Sequence, residues 1–119
     1  MTWEDILSLS RMGFEIGSHM VNHIDLTSLS DKELFFQLSE SKNILSERIK
    51  QPVKIFSCHY GRVDKRVIDV AKESGYIGGC ASFAGWNFYY SDKYMLRLTE
   101  IDGYDTLRDF RSKIRGCYD

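Results

Sequence analysis

Several things are scarce in these 119 residues, and each scarcity narrows the reading. There is a single proline, Pro52, and no run rich in glycine, serine or proline, so no linker divides the chain. One domain is expected over residues 1–119. The three cysteines, Cys58, Cys80 and Cys117, are odd in number and contain no Cys-x-x-Cys pair. That excludes a disulfide framework or a zinc knuckle and fits a reducing compartment. No apolar run approaches the ~18–20 residues that span a bilayer, so no membrane span is expected. The N-terminus, Met-Thr-Trp-Glu-Asp, has neither the basic nor the apolar part of a signal peptide, which reads as cytoplasmic for the chain as it stands. Sixteen basic residues against 17 acidic ones leave a net charge of -1, no footprint for nucleic acid. Histidine is scarce too: only His19, His23 and His59 occur.

What is present is a regular alternation of helix and strand signals. Thr2 with Asp5 forms a capping box and Gly13 a stop, predicting a helix over residues 3–12. Phe14 to Gly17 reads as a short strand. Ser30 with Glu33 opens a longer helix whose face carries Leu34, Leu38, Leu45 and Ile49, widened by Phe35 and Ile44. Beyond Pro52, residues 53–56 read as a strand. Asp64 caps a helix that stops at Gly75, and Tyr76 to Cys80 is a strand. Met95 to Ile101 alternates as another, and Asp105 caps a last helix ending at Gly116. Four strands alternating with helices predict a mostly parallel α/β sheet. Ligands of such sheets gather at the carboxyl ends of the strands. There the segments His19–His23, Cys58–Arg62, Ala81–Tyr90 and Asp102–Tyr104 are expected to converge.

Two of the three histidines stand four residues apart, directly after the first predicted strand. Neutral imidazole is the commonest metal ligand, and this spacing can aim both rings at one ion. The competing reading is a pair of loop histidines bonded to backbone groups. A catalytic zinc site usually has three protein ligands and a water, so a third donor is needed. His59 is a candidate, as ligand or as acid/base. Asp25 and Asp102 are weaker ones, since loop aspartates usually cap turns. Cys58 beside His59 makes a poor nucleophile pair, because neighbours on a strand point in opposite directions.

The run Gly-Phe-Glu-Ile-Gly-Ser-His-Met-Val-Asn-His, residues 13–23, resembles the metal-binding segment of polysaccharide deacetylases, the NodB-homology group of carbohydrate esterases. Ile55-Phe56-Ser57-Cys58-His59-Tyr60-Gly61-Arg62 is similar to that family's later strand-end segment, typically Phe-x-x-Pro-Tyr-Gly. The resemblance covers residues 2–110 and implies a partial (β/α) barrel of four mostly parallel strands. It implies a divalent metal, most often zinc, on His19 and His23, and metal-dependent hydrolysis of N-acetyl or O-acetyl groups on a glycan. The backbone N–H of Tyr60 would serve as oxyanion donor, with Trp86 and Arg62 meeting the glycan substrate. Departures are equally plain. The family's Asp-Asp motif is absent, Met20 replaces a usual Ser or Thr, Ser57 replaces an arginine common in many members, and His59 replaces the proline. No histidine follows His59, so the late general acid is missing as well. The resemblance is therefore to the C-terminal portion of such a domain, its chemistry impaired or absent. A homo-oligomer or an upstream fragment would complete the barrel. The other reading is a non-catalytic carbohydrate-binding or interaction module on the same fold. Family members are often exported or attached to the cell surface.

Overall fold

A computed structural model describes residues 1–116; Cys117 lies outside them. Helix α1 spans Trp3–Arg11, α2 Asp31–Ile49, α3 Lys65–Glu73 and α4 Leu107–Ile114, and the strands are β1 Ile55–Ser57, β2 Gly78–Ala81 and β3 Leu96–Arg97. The capping boxes read from the sequence are present: Thr2 with Asp5 opens α1 and Ser30 with Glu33 opens α2. In each, a side-chain oxygen takes a backbone N–H that the first helical turn leaves without a partner. Asp64 caps α3 in the same way, accepting from Val67 N at 2.8 Å. Gly75 then ends the unit in the left-handed region, at φ 82°.

The sheet is parallel throughout, in the order β1-β2-β3, with Ile55 opposite Gly78 and Cys80 opposite Leu96. A fourth segment lies on the other side of β1, where Ser18 forms a parallel bridge to Phe56. Four chain segments thus run side by side as expected, and helices cover the sheet, giving the partial-barrel α/β architecture. The core is built by Leu34, Leu38 and Ile49 of α2, Val67 and Ala71 of α3, and Phe56 of β1. Tyr76 joins it, its hydroxyl donating to Leu38 O at 2.8 Å.

Several expectations are corrected. Phe14 to Gly17 is extended but is not a strand, because only Ser18 reaches β1 with ladder geometry. The alternating run from Met95 to Ile101 is a strand only over Leu96–Arg97. Phe35 and Ile44 lie on the solvent side of α2 rather than widening its core face. Thr106, not Asp105, caps α4, since its hydroxyl accepts from Asp109 N while Asp109 returns the bond. Asp105 instead receives Lys113 Nζ at 2.6 Å; that hydrogen bond, ahead of the Asp102 amide, holds its carboxyl below the usual range.

Gly79 of β2 faces the ring of Phe56, and a Cβ there would overlap Cε1 and Cζ. Phe56 is itself fully buried, so neither side can give. Gly79→Ala is expected to destabilise the domain by about 1–3 kcal/mol through overpacking. Each kcal/mol corresponds to roughly 4–8 °C in Tm for a domain near this size. Thermal unfolding followed by circular dichroism measures it, and an unchanged midpoint would show that Phe56 has room to move.

Candidate metal centre

The cluster is assembled by the ends of two neighbouring chain segments. Ser18 N donates to Ile55 O and Ser57 N to Ser18 O, both at 2.9 Å, which sets His19 beside the end of β1. The chain then turns sharply at Met20, whose φ of 67° is rare for a side chain of this size. On the other segment, Cys58 leads from β1 into the turn His59–Gly61, where Tyr60 is also left-handed, at φ 56°. Gly61 lets that turn lie against Ser82, since a Cβ would come within 2.6 Å of Ser82 N. The two irregular turns face each other across the bridge.

The result brings all three histidines together. The rings of His19 and His59 have centroids 3.8 Å apart, as do those of His23 and His59, and His19 to His23 is 6.2 Å. One ring nitrogen from each lies within 4.8 Å of the other two, a set that could hold a metal ion. His19 Nδ1 stands 2.8 Å from Ser57 O. A carbonyl only accepts, so Nδ1 carries the proton and Nε2 keeps its lone pair. This is the outer hydrogen bond that usually orients a metal-binding imidazole.

His59 differs from the other two. It is 4% exposed, and neither ring nitrogen has a hydrogen-bond partner. The backbone of His19 and of Asn22 lies nearby without offering acceptable geometry. Burial first, then the neighbouring imidazoles, hold its pKa below the ordinary histidine value, which favours the neutral ring. An unpartnered buried polar group costs about 1–3 kcal/mol. An ion taking one of these nitrogens would relieve that cost, so the residues fit a metal.

The remaining candidates are placed as follows. Tyr60 packs edge-on against His23, with centroids 5.1 Å apart. Arg62 is engaged by Asp25 at 2.9 Å, which ties the His23 loop to the His59 turn. The Thr27 hydroxyl, ahead of Arg62, holds the Asp25 carboxyl below its usual range. Asp102 accepts from Tyr104 N in a turn of its own. Neither aspartate joins the cluster among the described residues. Trp86 is half-exposed and borders a groove with Asn87, Ile101, Phe110 and Ile114. Cys58 is buried and its thiol is pushed up to about 12, chiefly by burial, which makes it inert.

Sequence reasoning missed the support of the site. Gln37 is buried on α2, and its Oε1 accepts from Val21 N at 3.1 Å and Asn22 N at 2.9 Å. One side chain thus holds the backbone between the two exposed histidines. One turn on, Ser41 gives its proton to Gln37 O at 2.8 Å and takes one from Ser18 Oγ at 2.6 Å. The signal was legible in principle. Gln37 and Ser41 share the buried face of Leu34 and Leu38, where a polar residue needs a partner. Gln37→Leu keeps the bulk and removes the acceptor, leaving two N–H groups unpaired. Expected are a loss of about 1–3 kcal/mol and faster amide exchange at Val21 and Asn22, read by NMR; unchanged exchange would deny the clamp.

Comparison with known proteins agrees with this geometry. The family model for polysaccharide deacetylase matches residues 1–78. A peptidoglycan-N-acetylglucosamine deacetylase of Bacillus cereus is 33% identical over 64 residues, 54% of this chain and 30% of that protein. The Streptococcus pyogenes deacetylase PplD, solved with acetate, superposes with a TM-score of 0.87 at 18% identity, over 95% of this chain and 50% of its own. A polysaccharide deacetylase from Bacillus cereus gives 0.85 at 22% identity, over 96% of this chain and 36% of its own. The chain spans 30% of the length of the curated relatives it matches. With the histidine cluster set between two strand ends of a shared fold, and the match running over well more than half of its residues, the chain belongs to the polysaccharide deacetylase family.

Proposed function

We propose that this chain carries the metal-binding part of a hydrolase that removes acetyl groups, N- or O-linked, from a glycan. The observation that carries the reading is the histidine cluster at the strand ends, with one buried imidazole lacking any protein partner. His19 and His23 would hold a divalent ion, zinc by preference for nitrogen donors. When bound, such an ion supplies Lewis acidity toward an acetyl carbonyl and toward water. His19 enters with its tautomer already set by Ser57 O. The backbone N–H of Tyr60, in the turn beside His23, is the candidate donor to the developing oxyanion. Trp86 offers a face for a sugar ring, and Arg62 a cation held near the cluster by Asp25.

Catalysis by these residues alone would be slow. No carboxylate belongs to the cluster among the described residues, so a general base is wanting. That forfeits much of a factor of ~10²–10⁴. A homo-oligomer or an upstream fragment would also serve to cover the exposed apolar side chains, Phe14 and Ile77 among them.

A second reading, a glycan-binding module without chemistry, draws on the aromatic loop. Phe88 and Tyr90 are stacked with planes 6° apart, and with Trp86 and Arg97 they border a shallow depression. Acetate release from N- and O-acetylated oligosaccharides separates the two. The hydrolase reading expects slow release that stops with a chelator and returns with zinc. It also expects a loss of about 100-fold or more for His19→Ala with His23→Ala, the scale of removing ion and activated water together. Glycan binding that survives the chelator with no acetate formed would favour the module.

A further inference from the structure

We propose that His59 is the third protein ligand of the ion, so that this chain holds a transition metal through three imidazoles and no carboxylate. The inference rests on the metal-hydrolase reading of the same cluster and specifies its donor set.

Three observations carry it. First, both nitrogens of the His59 ring are buried and unpartnered, whereas His19 spends Nδ1 on Ser57 O. A buried imidazole with two idle nitrogens is a donor waiting for an acceptor of lone pairs. Second, the ring lies in contact with both His19 and His23, at 3.8 Å between centroids in each case. Ligand nitrogens of one tetrahedral zinc stand roughly 3.3 Å apart, from Zn–N bonds of about 2.0–2.1 Å. The present set lies within 4.8 Å, so holding the ion asks the rings to draw inward by up to about 1.5 Å. Third, no carboxylate joins the cluster among the described residues, and the two candidate aspartates have other partners: Asp25 has Thr27 and Arg62, Asp102 the Tyr104 amide.

The donor set dictates the choice of ion. Three neutral nitrogens suit zinc, cobalt, nickel or copper, whereas magnesium, calcium and manganese favour oxygen donors. Three protein ligands also leave one tetrahedral position open, the arrangement of catalytic rather than structural zinc. The backbone supports the placement. Tyr60 is left-handed and Gly61 is pressed on Ser82, so the turn that presents His59 has little freedom to carry the ring elsewhere.

The test uses the full chain, freed of metal and titrated with zinc against a chromophoric chelator, with cobalt as a spectroscopic probe. One zinc per chain is expected, with magnesium and calcium failing to compete. His59→Ala should weaken zinc binding about tenfold or more, the minimum for a direct ligand when outer-shell partners already cost 10–100-fold. His59→Cys gives the positive signature: a sulfur-to-cobalt charge-transfer band that the wild-type chain lacks, since a coordinating thiol is deprotonated. Circular dichroism melts confirm that each variant folds, and should His59→Ala not fold, the His59→Cys band decides. Zinc affinity within twofold of wild type for folded His59→Ala, or a cobalt-loaded His59→Cys without the band, overturns the proposal and leaves the hydrolase reading standing on His19 and His23. Zinc bound through His59 with no acetate released supports the proposal while removing the hydrolase reading. No zinc bound by the wild-type chain overturns both.

Discussion

The arrangement of this site depends on one parallel bridge. Ser18 gives and takes a backbone hydrogen bond with Ile55 and Ser57, at 2.9 Å each. Two bonds of about 1 kcal/mol net apiece would be a small matter in a helix. Here they align two chain segments so that the residues just past them, His19 on one and His59 on the other, leave the sheet at the same end. Because side chains alternate along a strand, a slip of one residue would reverse which face each presents. The bridge therefore sets position and orientation together.

Around it the molecule commits unusual backbone and buried polar groups. Met20 and Tyr60 occupy the left-handed region although neither is glycine, and each flanks a histidine of the cluster. Such conformations persist only where the surroundings over-determine them, and they gather at functional sites. The surroundings are identifiable: Gln37 holds the Val21 and Asn22 amides, and Ser18 is bonded to Ser41. Helix α2 is thus more than a cover for the sheet. Its apolar face supplies core through Leu34 and Leu38, and the same face carries the polar pair that shapes the first histidine loop.

Much of this was legible from the residues alone. Helix starts were read correctly where the signal is local, as with Thr2, Ser30 and Asp64, because a cap is a bond within four residues. The Asp105 reading failed for a similar reason at closer range. Two adjacent residues, Asp105 and Thr106, could each cap α4, and the distant Lys113 claims the aspartate. Strand extents were overstated at both edges of the sheet. Alternation reports a residue's preference for a pleated surface, whereas a strand also needs a neighbour along its whole length. Among the described residues the ladder at those two edges is confined to Ser18 and to Leu96–Arg97.

The sequence by itself determined the family and the two exposed histidines, since both rest on a contiguous pattern of strand end, Gly-Ser and a four-residue spacing. It also determined the caps, the class of fold and the absence of an Asp-Asp pair from these 119 residues. Only the tertiary structure decided that His59, 36 positions beyond His23, lies against both of them with its nitrogens unsatisfied. It likewise decided that Asp25 and Asp102 stay out of the cluster, and that Gln37 belongs to its support. The reason is physical. Local signals record what the chain does with its near neighbours, while a ligand set is a property of distance across the sheet. No residue type announces which buried nitrogen will be left without a partner.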